Sequence, residues 1–198
     1  MSIIVTCFIA YIVGSIPNGL IFGKLLWHTD LREHGSHNIG ATNAWRTLGK
    51  GPGFLIFLLD FIKGVIGVGF GMLAASPVAA VLGGVFAIIG HSCSLFLKFK
   101  GGKGVATGLG VIVMLMPEVA AIVFLIWLLI VFLTRYVSLG SVIAATCVPL
   151  IAFLLGKPNA YIFFGIIAAL FIIIRHKTNI ERLLNGTESK IKAANRKF

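Results

Sequence analysis

The chain has 198 residues and a formal net charge of +11, with 58% hydrophobic and 12% charged side chains, and its mean hydropathy is +1.02. A soluble domain of this size cannot cover so much apolar surface, which excludes an ordinary globular protein and points to an integral membrane chain. A pI near 10.0 would suggest nucleic acid in a soluble protein. Here the cations flank apolar runs, the pattern of membrane topology and anionic lipid, so nucleic acid is not expected as a partner.

A spanning helix needs about 20 apolar residues. The apolar runs, in chain order, are Ile3–Trp27, Gly53–Leu73, Pro77–Leu97, Val105–Met116, Val119–Leu133, Val137–Leu155 and Ala160–Ile174. They predict an all-α integral membrane protein, a bundle of seven transmembrane helices forming a single domain over residues 1–198. The first run has no basic segment before it and no small-x-small cleavage site after it, so it reads as a spanning helix and not a removed signal peptide. The fourth, fifth and seventh runs are short and gain length by tilt or from their flanks. Pro117-Glu118 and Gly156-Lys157-Pro158-Asn159 read as tight turns.

With the N-terminus outside, 15 of the 17 lysines and arginines fall on one side; Lys157 lies outside and Lys63 within the second run. The positive-inside rule then puts the C-terminus in the cytoplasm. The basic tail Asn179–Phe198, with its Ile180/Leu183/Leu184 stripe, reads as a brief interfacial helix with a frayed end. No internal repeat is visible, which weighs against transporter folds built from duplicated halves. Cys7, Cys93 and Cys147 lie far apart in apolar stretches and suit packing, not disulfide or metal chemistry.

Three polar clusters interrupt the apolar pattern, and the threading puts all of them on the cytoplasmic face. In the first, Gly35-Ser36-His37-Asn38-Ile39-Gly40-Ala41-Thr42-Asn43-Ala44-Trp45-Arg46, glycines permit tight backbone. Ser36, Asn38, Thr42 and Asn43 offer short donors, and Arg46 a fork suited to phosphate oxygens. The same residues also fit an ordinary turn capping an interfacial helix, with Thr42 or Asn43 as N-cap. In the second, Lys98-Phe99-Lys100-Gly101-Gly102-Lys103-Gly104, glycines bare the backbone amides, Lys103 adds a charge, and a helix starts near Val105. That combination favours a phosphate cradle over a flexible loop with snorkelling lysines, although it is not the nucleotide-binding P-loop. The third runs from Arg175 to Arg182 and places His176 and Asn179 on one helical face, either for acid–base or anion-binding work or as a plain stop-transfer boundary. Ser138 and Ser141 open the sixth run at the same face and serve as caps, as packing residues or at the site. Asp60 and Lys63, i and i+3 within the second run, read as a structural ion pair.

These segments, in order, are Gly14-Ser15-Ile16-Pro17-x-Gly19, Gly-Ser36-x-Asn-x-Gly-Ala-Thr-Asn43, Leu59-Asp60-x-x-Lys63-Gly64, Gly90-His91, Lys-Gly-Gly-Lys103-Gly-Val-Ala-Thr, Arg135-Tyr-Val-Ser-Leu and Arg175-His-x-x-Asn-Ile-x-Arg-Leu-x-x-Gly-Thr-Glu188. Together they resemble the bacterial membrane acyl-phosphate:glycerol-3-phosphate acyltransferases, the PlsY type, over nearly the whole chain. His37 departs from the small residue, such as Gly, expected at its position.

The resemblance implies transfer of a fatty acyl group from acyl phosphate to the 1-position of glycerol 3-phosphate, giving lysophosphatidate and phosphate. It implies seven spans in the bacterial inner membrane, a cytoplasmic active site, and neither a metal nor a cofactor. By motif, Ser36, Arg46, Lys103, His176 and Asn179 are the implied catalytic residues. Gly101, Gly102, Lys103 and Gly104 resemble the glycerol-3-phosphate site, and Ser141 a hydroxyl near the substrate phosphate. Asn38 and Thr42 are weaker substrate-binding candidates, while Glu188 is implied to be structural. Besides the two substrates and membrane lipid, the soluble enzyme that makes acyl phosphate is a conceivable partner. A transporter of a phosphorylated small molecule and a membrane lipid phosphatase are the rival readings. The concentration of polar groups at one face disfavours the first.

Overall fold

A computed structural model describes residues 2–74 and 76–191. Among them it is all-helical, with α1 (Ile3–Ser15), α2 (Asn18–Trp27), α3 (Ala41–Leu48), α4 (Lys50–Met72), α5 (Pro77–Ser92), α6 (Val105–Leu115), α7 (Pro117–Thr134), α8 (Val137–Leu154), α9 (Asn159–Arg175) and α10 (Lys177–Leu184). Five stretches of the described chain are long and apolar enough to cross a membrane: Ile3–Trp27, Lys50–Met72, Pro77–Leu97, Pro117–Thr134 and Val137–Leu154. Counting α9 with α10, which is bent 62° from it, gives a sixth. The expected fourth span is the 11-residue α6, about 16 Å long against a hydrocarbon core of about 30 Å. Phe132, Leu133, Leu154 and Ile174 are at least 70% exposed, while Asn18, Asp60, Lys63, His91 and Thr107 are buried. Exposed apolar and buried polar side chains suit lipid as solvent, and the protein is an integral membrane protein.

The chain divides into two compact units, one reaching to Gly110 and the other Val111–Ile191. In the first, α1, α4 and α5 pack against one another. Their backbones touch directly: a Cβ on Gly83 would lie 2.2 Å from the Gly67 carbonyl oxygen, and one on Gly14 would lie 2.3 Å from that of Ala87. Small residues at the seam are how apolar helices associate where lipid removes the hydrophobic drive. The first apolar run is not one continuous helix. Pro17 has no N–H to donate and disfavours helical backbone at Ile16, so the chain breaks between α1 and α2. The Ile16 carbonyl freed there accepts a hydrogen bond from Lys63 Nζ.

In the second unit α8 packs against α7 and α9, and α10 reaches both α8 and α9. Pro117-Glu118 is not the expected turn. Pro117 occupies the first position of α7, where its missing N–H costs nothing, and the break falls at Met116, whose φ is −148°. The basic tail does begin with a short helix, α10; Lys192–Phe198 lie outside the described residues. All three cysteines are free and half-buried.

Gly83→Ala is expected to lower the thermal midpoint in detergent, at the roughly 1–3 kcal/mol typical of overpacking. Gly69→Ala, where an added Cβ meets nothing within 4 Å, is expected to be neutral or stabilising by up to about 1 kcal/mol.

Candidate active site

The first polar cluster lies in the first unit and is built around one amide. Asn43, 2% exposed, accepts at Oδ1 from the Ser36 backbone N–H at 2.9 Å. Its Nδ2 is shared among the carbonyls of Leu31, His34 and Asn38 at 2.9, 3.0 and 2.8 Å. One side chain thus satisfies four backbone groups across the loop. Beneath it, Leu31 is buried with Ala44, Leu48 and Ile56. Asp30 pins the loop's start, accepting from the Arg32 backbone and guanidinium and pairing with Lys24 at 3.0 Å. The Arg32 side-chain hydrogen bond, above all, holds the Asp30 carboxyl well below the usual carboxylate range.

Neither Thr42 nor Asn43 is the N-cap of α3. Gly40 takes that position, its N–H received by Asn38 Oδ1 at 2.9 Å, because the Asn43 amide is committed to the preceding loop. Ser36 is exposed, whereas Thr42 and Arg46 are half-buried on α3, one turn apart and on one face. His37, at the position where Gly was expected, has φ 55°. The backbone there is left-handed, which explains the expectation, and the ring Nδ1 compensates by donating to the Arg32 carbonyl at 2.9 Å.

The glycine loop of the second cluster also lies in the first unit, and α6 does begin at Val105. Two of its amides do not point outward for a ligand. Gly101 N–H donates to the Ser92 carbonyl and Gly102 N–H to that of His91, each at 3.0 Å. Gly102 is required by space, since a Cβ would sit 2.1 Å from His91 Nε2, and Gly104 by its φ of 82°. Gly101 and Gly102 therefore shape the loop from behind, while the half-buried Lys103 is its charged residue.

Asp60 and Lys63 form the i, i+3 pair at 2.8 Å, 2% and 4% exposed. Asp60 Oδ1 also accepts from Asn18 Nδ2 at 3.1 Å, and Thr107 Oγ1 donates to the Asp60 carbonyl at 2.9 Å. Thr107 closes the Lys-Gly-Gly-Lys103-Gly-Val-Ala-Thr motif, while the role of Asn18 carries no sequence signal because it sits inside an apolar run.

In the second unit the centre is Glu188. Its Oε1 accepts from Ser138 Oγ and Asn179 Nδ2, and its Oε2 from Arg182 Nε, all at 2.8 Å. Burial raises its pKa, but the bonds from Arg182, Asn179 and Ser138 outweigh that and leave it lowered. Asn179 is thus tied to Glu188 as well as sharing a face with His176. Arg182, which the sequence reading left without a role, is three residues beyond Asn179 and was legible from that spacing. His176 is 3% exposed, and its Nδ1 lies 2.8 Å from the Ile172 carbonyl. A carbonyl only accepts, so Nδ1 carries a proton. Ser141 donates to the Val137 carbonyl at 2.8 Å and accepts from Trp127 Nε1 at 3.4 Å. Among the described residues no three His, Cys, Asp or Glu side chains are grouped to hold a metal ion.

A carboxylate with a lowered folded pKa contributes stability above its ordinary value, near 4.5 for Glu188, and loses it as pH falls through the folded value. The thermal midpoint is expected to drop as pH falls below about 4.5, and Glu188→Gln to start lower and drop less.

Residues 4–186 match the family model for glycerol-3-phosphate acyltransferases. The chain is 46% identical over 189 residues to the glycerol-3-phosphate acyltransferase of Carboxydothermus hydrogenoformans, covering 96% of each. It is 45% identical over 190 residues to that of Syntrophomonas wolfei, again covering 96% of each. Its fold matches the crystal structure of PlsY, an integral membrane glycerol 3-phosphate acyltransferase, in the glycerol 3-phosphate form with a TM-score of 0.91 and 41% identity, over 97% of this chain and 96% of that one. The lysophosphatidic acid form of PlsY matches with a TM-score of 0.87 and 40% identity, over 96% and 95%. The chain belongs to the glycerol-3-phosphate acyltransferase family, PlsY type.

Proposed function

We propose that this protein transfers a fatty acyl group from acyl phosphate to the sn-1 hydroxyl of glycerol 3-phosphate, releasing lysophosphatidate and phosphate. The observation that carries this reading is the family match over residues 4–186, which contains every motif quoted above except Thr187 and Glu188 at the end of the last one. The protein acts as one functional domain in a bacterial inner membrane, with seven crossings that include the short α6. The N-terminus is outside and the cation-rich face is in the cytoplasm. The one-sided distribution of 15 of 17 cations supports that orientation.

Acyl phosphate is already activated, so no covalent enzyme intermediate is needed. The task is to hold two anions, offset their repulsion and aim a hydroxyl at a carbonyl carbon. Ser36, Arg46, Lys103, His176 and Asn179 act on the substrates, with Arg46 and Lys103 as the neutralising cations. Asn38, Thr42, Gly101, Gly102, Gly104 and Ser141 shape the binding surfaces, and Asp60, Lys63 and Glu188 hold the residues behind them. The hydroxyl oxygen bonds to the acyl carbon, the acyl carbon–phosphate oxygen bond breaks, and the hydroxyl proton leaves on the departing phosphate. His176 binds and orients the substrate and does not take the proton.

The reading is checked with purified protein, acyl phosphate and glycerol 3-phosphate. Phosphate release is expected to require glycerol 3-phosphate, and acyl-CoA to give no product. Release without the acceptor would indicate a phosphatase, and no turnover would reopen the transporter. His176→Gln is expected to raise the glycerol 3-phosphate KM by roughly tenfold while keeping kcat near wild type. Loss of kcat with intact binding would instead make His176 the base.

A further inference from the structure

Behind the Gly101–Gly104 loop lies a chain of buried polar contacts that the proposed reaction does not use directly. His91, 5% exposed, holds Gly102 twice. Its carbonyl accepts the Gly102 N–H at 3.0 Å, and its ring Nε2 stands where a Cβ on Gly102 would be 2.1 Å away. The other ring nitrogen, Nδ1, lies 3.7 Å from Asp60 Oδ1. That carboxylate is itself fixed by Asn18 at 3.1 Å and Lys63 at 2.8 Å. On the far side of Lys103, Thr107 Oγ1 donates to the Asp60 carbonyl at 2.9 Å, and Gly110 packs so closely that a Cβ would lie 2.1 Å from the Phe61 carbonyl oxygen. Lys103 therefore sits on a segment packed at one end against the His91 ring, which stands beside Asp60, and bonded at the other end to the Asp60 carbonyl through the Thr107 hydroxyl.

We infer that His91, steered by Asp60, is a positioning residue for Lys103, and that it sets the affinity for the phosphate of glycerol 3-phosphate without touching substrate. This rests on the reading of the Gly101–Gly104 loop as the glycerol 3-phosphate site. A lysine is a compact charge on a flexible stem, so the place from which it starts decides where its ammonium group can reach. The ring against Gly102 and the hydroxyl of Thr107 fix that starting place. A shift of about 1 Å in such a support is enough to weaken binding by an order of magnitude or more.

The experiment compares His91→Gln, Lys103→Gln and the double variant, measuring both substrate KM values, kcat and the thermal midpoint. His91→Gln is expected to raise the glycerol 3-phosphate KM by roughly tenfold and to leave kcat within about twofold. The acyl phosphate KM and the midpoint should stay near wild type. In the double variant, His91→Gln is expected to add little to the effect of Lys103→Gln, since both act through one interaction. Thr107→Val, which removes a single hydrogen bond at the other anchor, is read in the same way should His91→Gln fail to fold. Additive effects, or equal rises in both KM values with a lowered midpoint, overturn the inference. A normal effect of Lys103→Gln beside an inert His91→Gln also overturns it, leaving the glycerol 3-phosphate reading intact. Lys103→Gln without effect on that KM overturns the reading itself, and the inference with it.

Discussion

An ammonium and a carboxylate held among apolar helices are the constraint on which the first unit depends. Either ion alone would be costly in such surroundings; together they are tolerable only if their remaining donors and acceptors are also met. Lys63 meets this demand with Asp60 and with the carbonyl that the Ile16–Pro17 break sets free. Asp60 meets it with Lys63 and Asn18. The proline that interrupts the first helix and the charges in the second are thus two halves of one arrangement. At the Pro17 break the Ile16 carbonyl accepts from the Asn18 backbone N–H, and Lys63 is its second donor. From that knot the α5–α6 connection takes its position.

The same device recurs elsewhere. Glu188 collects a serine, an asparagine and an arginine, and Asn43 collects four backbone groups. In each case one buried polar side chain organises a short segment. Several motif residues that look chemical in the sequence are supports by their geometry. Gly101 and Gly102 turn their amides inward, and Ser141 bonds within its own helix.

The helical class and the starts of α6, α8 and α9 were legible to within about a residue, because apolar runs in lipid must be helical and must end where polar residues begin. The ion pair of Asp60 and Lys63 was legible from its i, i+3 spacing. Two kinds of feature were not. Hydropathy averages over a window, so it does not register the break at Ile16–Pro17 or the shift of the α6–α7 boundary to Met116, each decided by one residue's backbone. Long-range partners were equally hidden. Asn18 and Asp60 are 42 positions apart, and no local pattern links an asparagine in one apolar run to an aspartate in another. His37 was visible as an oddity, and its left-handed backbone gives the physical reason.

The spans over which these polar centres reach differ widely. All of Asn43's bonds close within 12 residues, so this loop can take shape as soon as α3 is made. Glu188 must find Ser138, which lies 50 residues earlier. During synthesis the second unit's carboxylate centre is therefore the last to close, and until residue 188 has left the ribosome, Asn179 and Arg182 lack the partner that fixes them. A nascent chain proceeds from its N-terminus, and distant pairs are the slowest to meet. A glutamate beyond α10 thus makes synthesis through residue 188 the condition for closing this centre beside His176.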